Sequence, residues 1–300
     1  MPSRPSRPTL PRSRYPHTTR FEAIGTGWQL DTVESISAPL RAEIDSRIES
    51  FDRTWSRFRG DSLVARIAAK PGHWAFPPDA GPLFDLYQRL YRATDGAVSP
   101  LVGAALETLG YDRGYSLRQS APARPVPAWD DAVSWDGEAL STVRPITLDV
   151  GAAGKGYLVD IVGAILAGAG HDDFIVDGSG DIRHWGSEPI RVALEHPGDP
   201  TKAIGVVSVG GGAICSSATN RRQWGDGLHH VIDVTTGLPT TRVIATWAMA
   251  ESGLEADGLS TALFFADPAR LASEFDFTFV RMFATGTIEF SPNLDGKLFT

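Results

Sequence analysis

The hydrophobic period of this chain changes at Ile146, and that change restricts the fold more than any other feature of the sequence. Before it, Leu40, Ile44, Ile48, Phe51 and Trp55 recur at helical spacing through "APLRAEIDSRIESFDRTW", which predicts an amphipathic helix. "GPLFDLYQRLYRATDG" predicts a second, with Leu83, Leu86, Tyr87, Leu90 and Tyr91 on one side and Gly96 as its stop. After it, "ITLDVG" alternates as a strand and "AAGKG" leads into a helix faced by Leu158, Ile161, Val162, Ile165 and Leu166. Short strands around "FIVDG", "IRVALE" and "IGVVSVGGGAICSS" follow, separated by Gly-rich turns. A last helix is signalled by "SGLEADGLSTALFFADP", where Ser252 and Glu255 have capping-box spacing and Pro268 closes the run. Helices first and a strand-rich half afterwards predict an α+β fold with mixed or antiparallel sheets flanked by helices, not a doubly wound parallel sheet.

The chain has 300 residues, enough to bury a sizeable core. Residues 1–20, "MPSRPSRPTLPRSRYPHTTR", are rich in Pro, Arg and Ser and read as a disordered basic arm, leaving residues 21–300 as the folded unit. The arm has no apolar h-region and no window approaches eighteen apolar residues, so the expected address is the cytoplasm, with no membrane insertion. A net charge of −8 argues against a general nucleic-acid surface. An anionic ligand would have to be held by local features. Cys215 is the single cysteine, which excludes an internal disulfide framework and a Cys-based metal cluster.

Five stretches carry candidate chemistry. In "LDVGAAGKG" a strand runs through small residues into a helix, and Lys155 adds a positive charge where free N–H groups would attract a phosphate. Close helix–strand packing explains the same glycines. In "EADGLSTALFF", Asp257 and Thr261 share a helix face with Ser260 adjacent. One carboxylate with hydroxyls suits magnesium better than zinc, though a solvated helix start reads the same way. "HHVIDVTTGLP" ends a β-branched run in His230-x-x-Asp233 just before a turn, either a polar pair tying down a strand end or part of a reactive site. "GSGDIRHWG" and "AICSSATNRR" fit plain turn chemistry as well as a site.

Taken in order, seven segments resemble the ApbE family of flavin transferases. "AIGTGW" resembles its A-M-G-T strand, "WSRFRGDSL" its S-x-[FYW]-x-x-x-S segment, and "TDGAVSPLVG" its T-x-G-x-F-D-x-T-v-G. "LDVGAAGKGYLVD" resembles D-L-G-G-x-A-K-G-Y-x-x-D, and "SATNRR" stands where T-S-G-x-Y-x-R is expected. "HHVIDVTTGLPT" resembles H-x-I-D-P-x-T-G-x-P, and "EADGLSTALF" resembles A-D-A-x-x-T-A-L-F. The resemblance spans roughly residues 20–300. It implies an ApbE-like, T-fold-like α+β fold and Mg²⁺-dependent transfer of FMN from FAD to a Ser or Thr hydroxyl of a client flavoprotein, with release of AMP. An FAD pyrophosphatase and a non-catalytic FAD carrier are the competing readings. By matching position, Asp257, Ser260, Thr261 and the Ala152 carbonyl would hold Mg²⁺. Ile24, Phe58, Ala97, Val98, Ser99, Asp149, Lys155 and Ile232 would contact FAD, and His230 with Asp233 would serve the reacting phosphate. Neighbours on a strand face opposite ways, so His229 is expected to be dispensable. The sequence departs from the pattern at Val98-Ser99 and Leu101, at Asp181 in place of Asn, at Asn220 in place of Tyr and at Ile24 in place of Met.

Overall fold

Eight strands lie side by side in the computed structural model in the same order as they occur in the chain, all antiparallel. The structure describes residues 14–123 and 125–299. The strands are β1 (His17–Ala23), β2 (Thr26–Thr32), β3 (Phe174–Asp177), β4 (Asp181–Trp185), β5 (Ala213–Ala218), β6 (Val243–Ala250), β7 (Thr278–Phe283) and β8 (Ile288–Phe290). Four main helices accompany them: α1 (Ala38–Trp55), α2 (Gly81–Ala93), α3 (Gly154–Gly168) and α4 (Gly253–Ala262). Helices α3 and α4 pack on each other and on the middle strands, while α1 packs on α3 and α2 on α4. The expected α+β architecture is what the chain adopts.

Alternation along the strands divides the sheet between two cores. In β5, Ala213 and Cys215 turn towards Ala256 of α4, whereas Ile214 joins Trp247, Val280 and Met282 on the opposite face. That opposite face is covered by a small sheet of Ile190–His196, Asp199–Val209 and Gly296–Leu298, which contributes Leu194, Ile204 and Val207. The larger core gathers α1, α2, α3 and α4 around Ile44, Phe51, Leu83, Tyr87, Leu158 and Leu259.

Local chemistry sets the helix ends. Ser37 Oγ accepts from Leu40 N at 3.3 Å to start α1. Helix α2 stops where Gly96, at φ +85°, donates back to the Tyr91 carbonyl at 2.7 Å. The capping box of α4 is half formed: Ser252 Oγ accepts from Glu255 N, but the Glu255 carboxylate is drawn to Arg89 at 3.0 Å. Two further carboxylates cap reciprocally. Asp160 of α3 accepts from Gly253 N and Leu254 N at 2.8 Å, and Asp257 of α4 accepts from Gly156 N at 2.8 Å.

The expected basic arm needs correction at its C-terminal end. Residues 1–13 lie outside the described residues. From residue 14 the chain is engaged: Arg14 Nε and Tyr15 Oη donate to the two oxygens of Asp173, each at 2.8 Å, and His17–Arg20 belong to edge strand β1. An edge strand of mostly exposed polar residues has no hydrophobic alternation to reveal it. Among the described residues no helix is long and apolar enough to cross a membrane.

Candidate functional site

A cavity of about 470 Å³ opens where the start of α3, the β1–β2 turn and the loop ends around residues 55–59, 97–111 and 217–234 converge. Eleven of the residues expected from the sequence line it: Ile24, Phe58, Ala97, Val98, Ser99, Asp149, Ala152, Lys155, His230, Ile232 and Thr261. Asp257 and Ser260 lie buried behind this wall, and Asp233 is not part of it.

The polar end forms where α3 meets α4. Gly156 leaves no room for a side chain: a Cβ there would sit 2.1 Å from the Gly253 carbonyl oxygen and 2.6 Å from Asp257 Cβ. This closeness brings the Asp257 carboxylate onto the first turn of α3, beside Lys155. Lys155 forms an ion pair with Asp181, which is wholly buried. Burial alone would lower the lysine pKa, but Asp181 and Asp257 overcome it and hold the ammonium charged. Burial and the neighbouring Asp181 push the Asp257 pKa well up. Thr261 Oγ1 lies 3.5 Å from the Ala152 carbonyl oxygen, and Ser260 Oγ lies 2.8 Å from both Ser217 Oγ and the Asp257 carbonyl oxygen.

These groups fit a magnesium ion. Two buried carboxylates crowd a single ammonium, so the proton that their repulsion favours on Asp257 can be replaced by a cation, and every donor is a hard oxygen. Among the described residues no three His, Cys, Asp or Glu side chains gather as a metal site. Magnesium does not require that, because it takes one or two carboxylates with waters and phosphate oxygens.

The opposite end is aromatic. Phe58 lies parallel to Tyr115, with ring centroids 5.2 Å apart and 8° between planes, and Tyr111 meets both rings edge-on. The Arg57 guanidinium lies over Phe58 at 4.2 Å and Tyr111 at 4.9 Å. Arg57 Nε also donates to Asp149 Oδ2 at 2.5 Å, while Asp149 Oδ1 accepts from Gly151 N at 2.7 Å. Burial works to raise the Asp149 pKa, but Arg57 prevails and keeps it below the ordinary carboxylate value. Ile24 reaches the cavity from the tight β1–β2 turn in the left-handed region (φ +45°), an unfavourable conformation for a β-branched residue.

His230 lines the same cavity, near Arg222 and Asp149. Its Nδ1 is buried and has no hydrogen-bond partner among the described residues. Burial first, then the positive Arg222, lowers its pKa to about 4, so the imidazole is neutral at neutral pH. The sequence left open a His230–Asp233 pair, and the structure does not form it. Asp233 Oδ1 accepts from Thr235 N at 2.8 Å and Thr235 Oγ1 at 2.6 Å, closing the turn that follows. His229 is not dispensable packing either: it is buried, its Nε2 lies 2.8 Å from the Thr240 carbonyl, and its Nδ1 accepts from Val231 N. Cys215 is wholly buried with a raised pKa, as expected for a small core residue rather than a nucleophile.

Sequence reasoning missed Arg57, Tyr111 and Tyr115 as cavity residues, while Ser217 and Arg222 fell inside the candidate stretch "AICSSATNRR" without an assigned role. Arg57 adjoins Phe58 in "WSRFRGDSL", a signal that was available. Tyr111 and Tyr115 sit in a run without hydrophobic period, and only the fold returns them to Phe58.

The sequence model of the ApbE family matches residues 24–276. The FAD:protein FMN transferase of Klebsiella pneumoniae (strain 342) is 24% identical over 273 residues, covering 83% of this chain and 78% of that protein. Its namesake from Vibrio cholerae serotype O1 is 28% identical over 246 residues, covering 76% and 73%. The solved flavin transferase ApbE from Vibrio cholerae superposes with a TM-score of 0.78 at 23% identity, over 92% of this chain and 97% of that one. The ApbE protein of Thermotoga maritima gives the same TM-score and coverage at 22% identity. With its family match spanning most of the sequence and its fold shared with those structures, the chain belongs to the ApbE family.

Proposed function

We propose that this protein is an FAD:protein FMN transferase that joins FMN, through a phosphoester bond, to a Ser or Thr hydroxyl of a client flavoprotein and releases AMP. The observation that carries this reading is one cavity whose wall holds an aromatic cluster, Lys155 beside an oxygen-rich helix start, and a neutral histidine. FAD has the matching sequence of a planar ring, a diphosphate and a second planar ring. The names of the similar proteins from Klebsiella and Vibrio support the same activity.

In this reading Asp257, Thr261 and the Ala152 carbonyl, with Ser260 beside them, hold Mg²⁺. Bound there, the ion supplies positive charge that offsets the diphosphate. Lys155 adds a fixed positive charge, and Asp181 keeps its long side chain in place. Phosphoryl-type transfer needs positioning and charge neutralisation more than covalent help from the protein. The acceptor oxygen forms a bond to the FMN-side phosphorus, the bond from that phosphorus to the bridging oxygen breaks, and AMP departs with that oxygen. His230 Nδ1 takes the acceptor proton. Its unprotonated state at neutral pH leaves the lone pair available, and the incoming negative diphosphate raises its basicity by opposing Arg222. Arg57 and Asp149 fix the wall on which the nucleotide lies. Asp233 acts at one remove, by holding the turn after His230.

The test is to incubate the protein with FAD and Mg²⁺, with and without a candidate client. AMP together with covalently flavinylated client is the expected result. AMP with free FMN and an unmodified client overturns the reading in favour of a pyrophosphatase, and intact bound FAD overturns it in favour of a carrier.

A further inference from the structure

The aromatic end of the cavity holds more rings than the resemblance assigns to it. Phe58, the position matched to the nucleotide, is half-buried and already engaged, with the Arg57 guanidinium over its ring and Tyr115 lying parallel to it. Tyr115 is the ring still open: it is 54% exposed while lining the same cavity. Its place is fixed by its loop. Leu117 N donates to the Gly110 carbonyl at 2.9 Å, and the Asp112 carboxylate accepts from Gly114 N at 2.8 Å and Ser116 N at 3.0 Å. Tyr115 and Leu117 are both held in the left-handed region, at φ +48° and +52°, which non-glycine residues enter only when their surroundings impose it. An exposed aromatic residue held in this conformation at a cavity rim, backed by Phe58 and edged by Tyr111, is a stacking platform lacking only its outer partner.

We propose that Tyr115 is a positioning residue that stacks on a planar ring of FAD, so that Phe58 supports this contact from behind rather than making it. This inference rests on the transferase reading of the cavity. Two rings of FAD share the required chemistry, isoalloxazine and adenine, and separate titrations with FMN and with ADP distinguish them.

The experiment measures the affinity of the full chain for FAD, FMN and ADP in Mg²⁺, by calorimetry, for the wild type, Tyr115→Ala and Tyr115→Phe. Far-UV dichroism verifies the fold. Tyr115→Ala is expected to weaken FAD binding about 5–150-fold, the usual worth of one ring stack. Tyr115→Phe, which keeps the ring and loses the hydroxyl, restores it. The same loss in FMN binding assigns the ring as isoalloxazine, and in ADP binding as adenine. Unchanged or tighter FAD binding by Tyr115→Ala overturns the proposal, because the ring would then be a bystander or a cover over Phe58. Failure of Tyr115→Phe to restore affinity also overturns it. A wild-type chain that binds no FAD overturns the transferase reading itself, an outcome that the variants are not needed to recognise.

Discussion

His229 and His230 adjoin in the chain, but His230 lines the cavity while His229 bonds Thr240 and Val231, so they make a matched pair of tests. If His230 accepts the acceptor proton, His230→Ala lowers turnover ~10²–10⁴-fold, the usual contribution of general acid–base catalysis, while FAD affinity and melting temperature change little. His229→Ala behaves the other way. It removes a buried ring that bonds Thr240 and Val231, so stability falls by about 1–3 kcal/mol, and activity falls only as far as the folded fraction does. Equal activity losses at equal stability would remove His230 from the mechanism. Asp257→Asn tests the metal end with the side-chain shape preserved. It keeps an acceptor for Gly156 N and removes the charge, so calorimetry should show Mg²⁺ affinity lost while the melting temperature holds within a few degrees. Unaltered Mg²⁺ binding would place the ion elsewhere.

At the scale of elements, the contact between α3 and α4 sets the polar end of the cavity, and its tolerance is less than one methyl group. Gly156→Ala would force the Gly253 carbonyl and Asp257 away, so it is expected to cost ~1–3 kcal/mol or more from overpacking and to weaken Mg²⁺ binding in the same variant. Gly168→Ala, at the far end of the same helix with nothing within 4 Å of the added methyl, should leave both properties near wild type in thermal melts and calorimetry. Matching losses in the two would mean that the crossing is not what seats Asp257. The helices themselves were legible from the sequence because a period of 3.6 and a capping serine are local signals; α1 spans the very segment whose stripe predicted it. The half-formed cap of α4 was not legible, because Glu255 is taken by Arg89, a residue more than 160 positions away. The first residues of β1, His17–Arg20, escaped notice because they are polar and mostly exposed. At the site the same division holds. Lys155, Asp257 and His230 stand inside short recognisable motifs, whereas Tyr115 gains its meaning only from a ring contact made across the fold with Phe58.

For the molecule as a whole, the titration of buried groups links the site to stability. His230 has a folded pKa of about 4 against an ordinary 6.5, and burial also lowers the pKa of His229 and His184. The unfolded chain therefore binds more protons than the folded one between those values, and stability contributed by the neutral imidazole is lost as pH falls from about 6.5 to about 4. Asp160 and Asp177 act in the opposite sense. Burial raises their pKa values, so their folded, protonated forms favour the fold on acidification and a raw melting curve mixes the two effects. A paired comparison separates them. His230→Gln cannot titrate, so the wild type should lose stability relative to the variant steadily from pH 7 to pH 4, by at most about 3 kcal/mol from a pKa change of that size. The measurement is a denaturant melt of both proteins at half-unit pH intervals without FAD. Parallel pH dependences would show that His230 titrates normally in the folded chain, and with that the neutral, buried base required by the proposed proton transfer would be lost. Saturating FAD should then raise both curves but flatten the acid slope of the wild type alone, as the bound diphosphate restores proton affinity to His230.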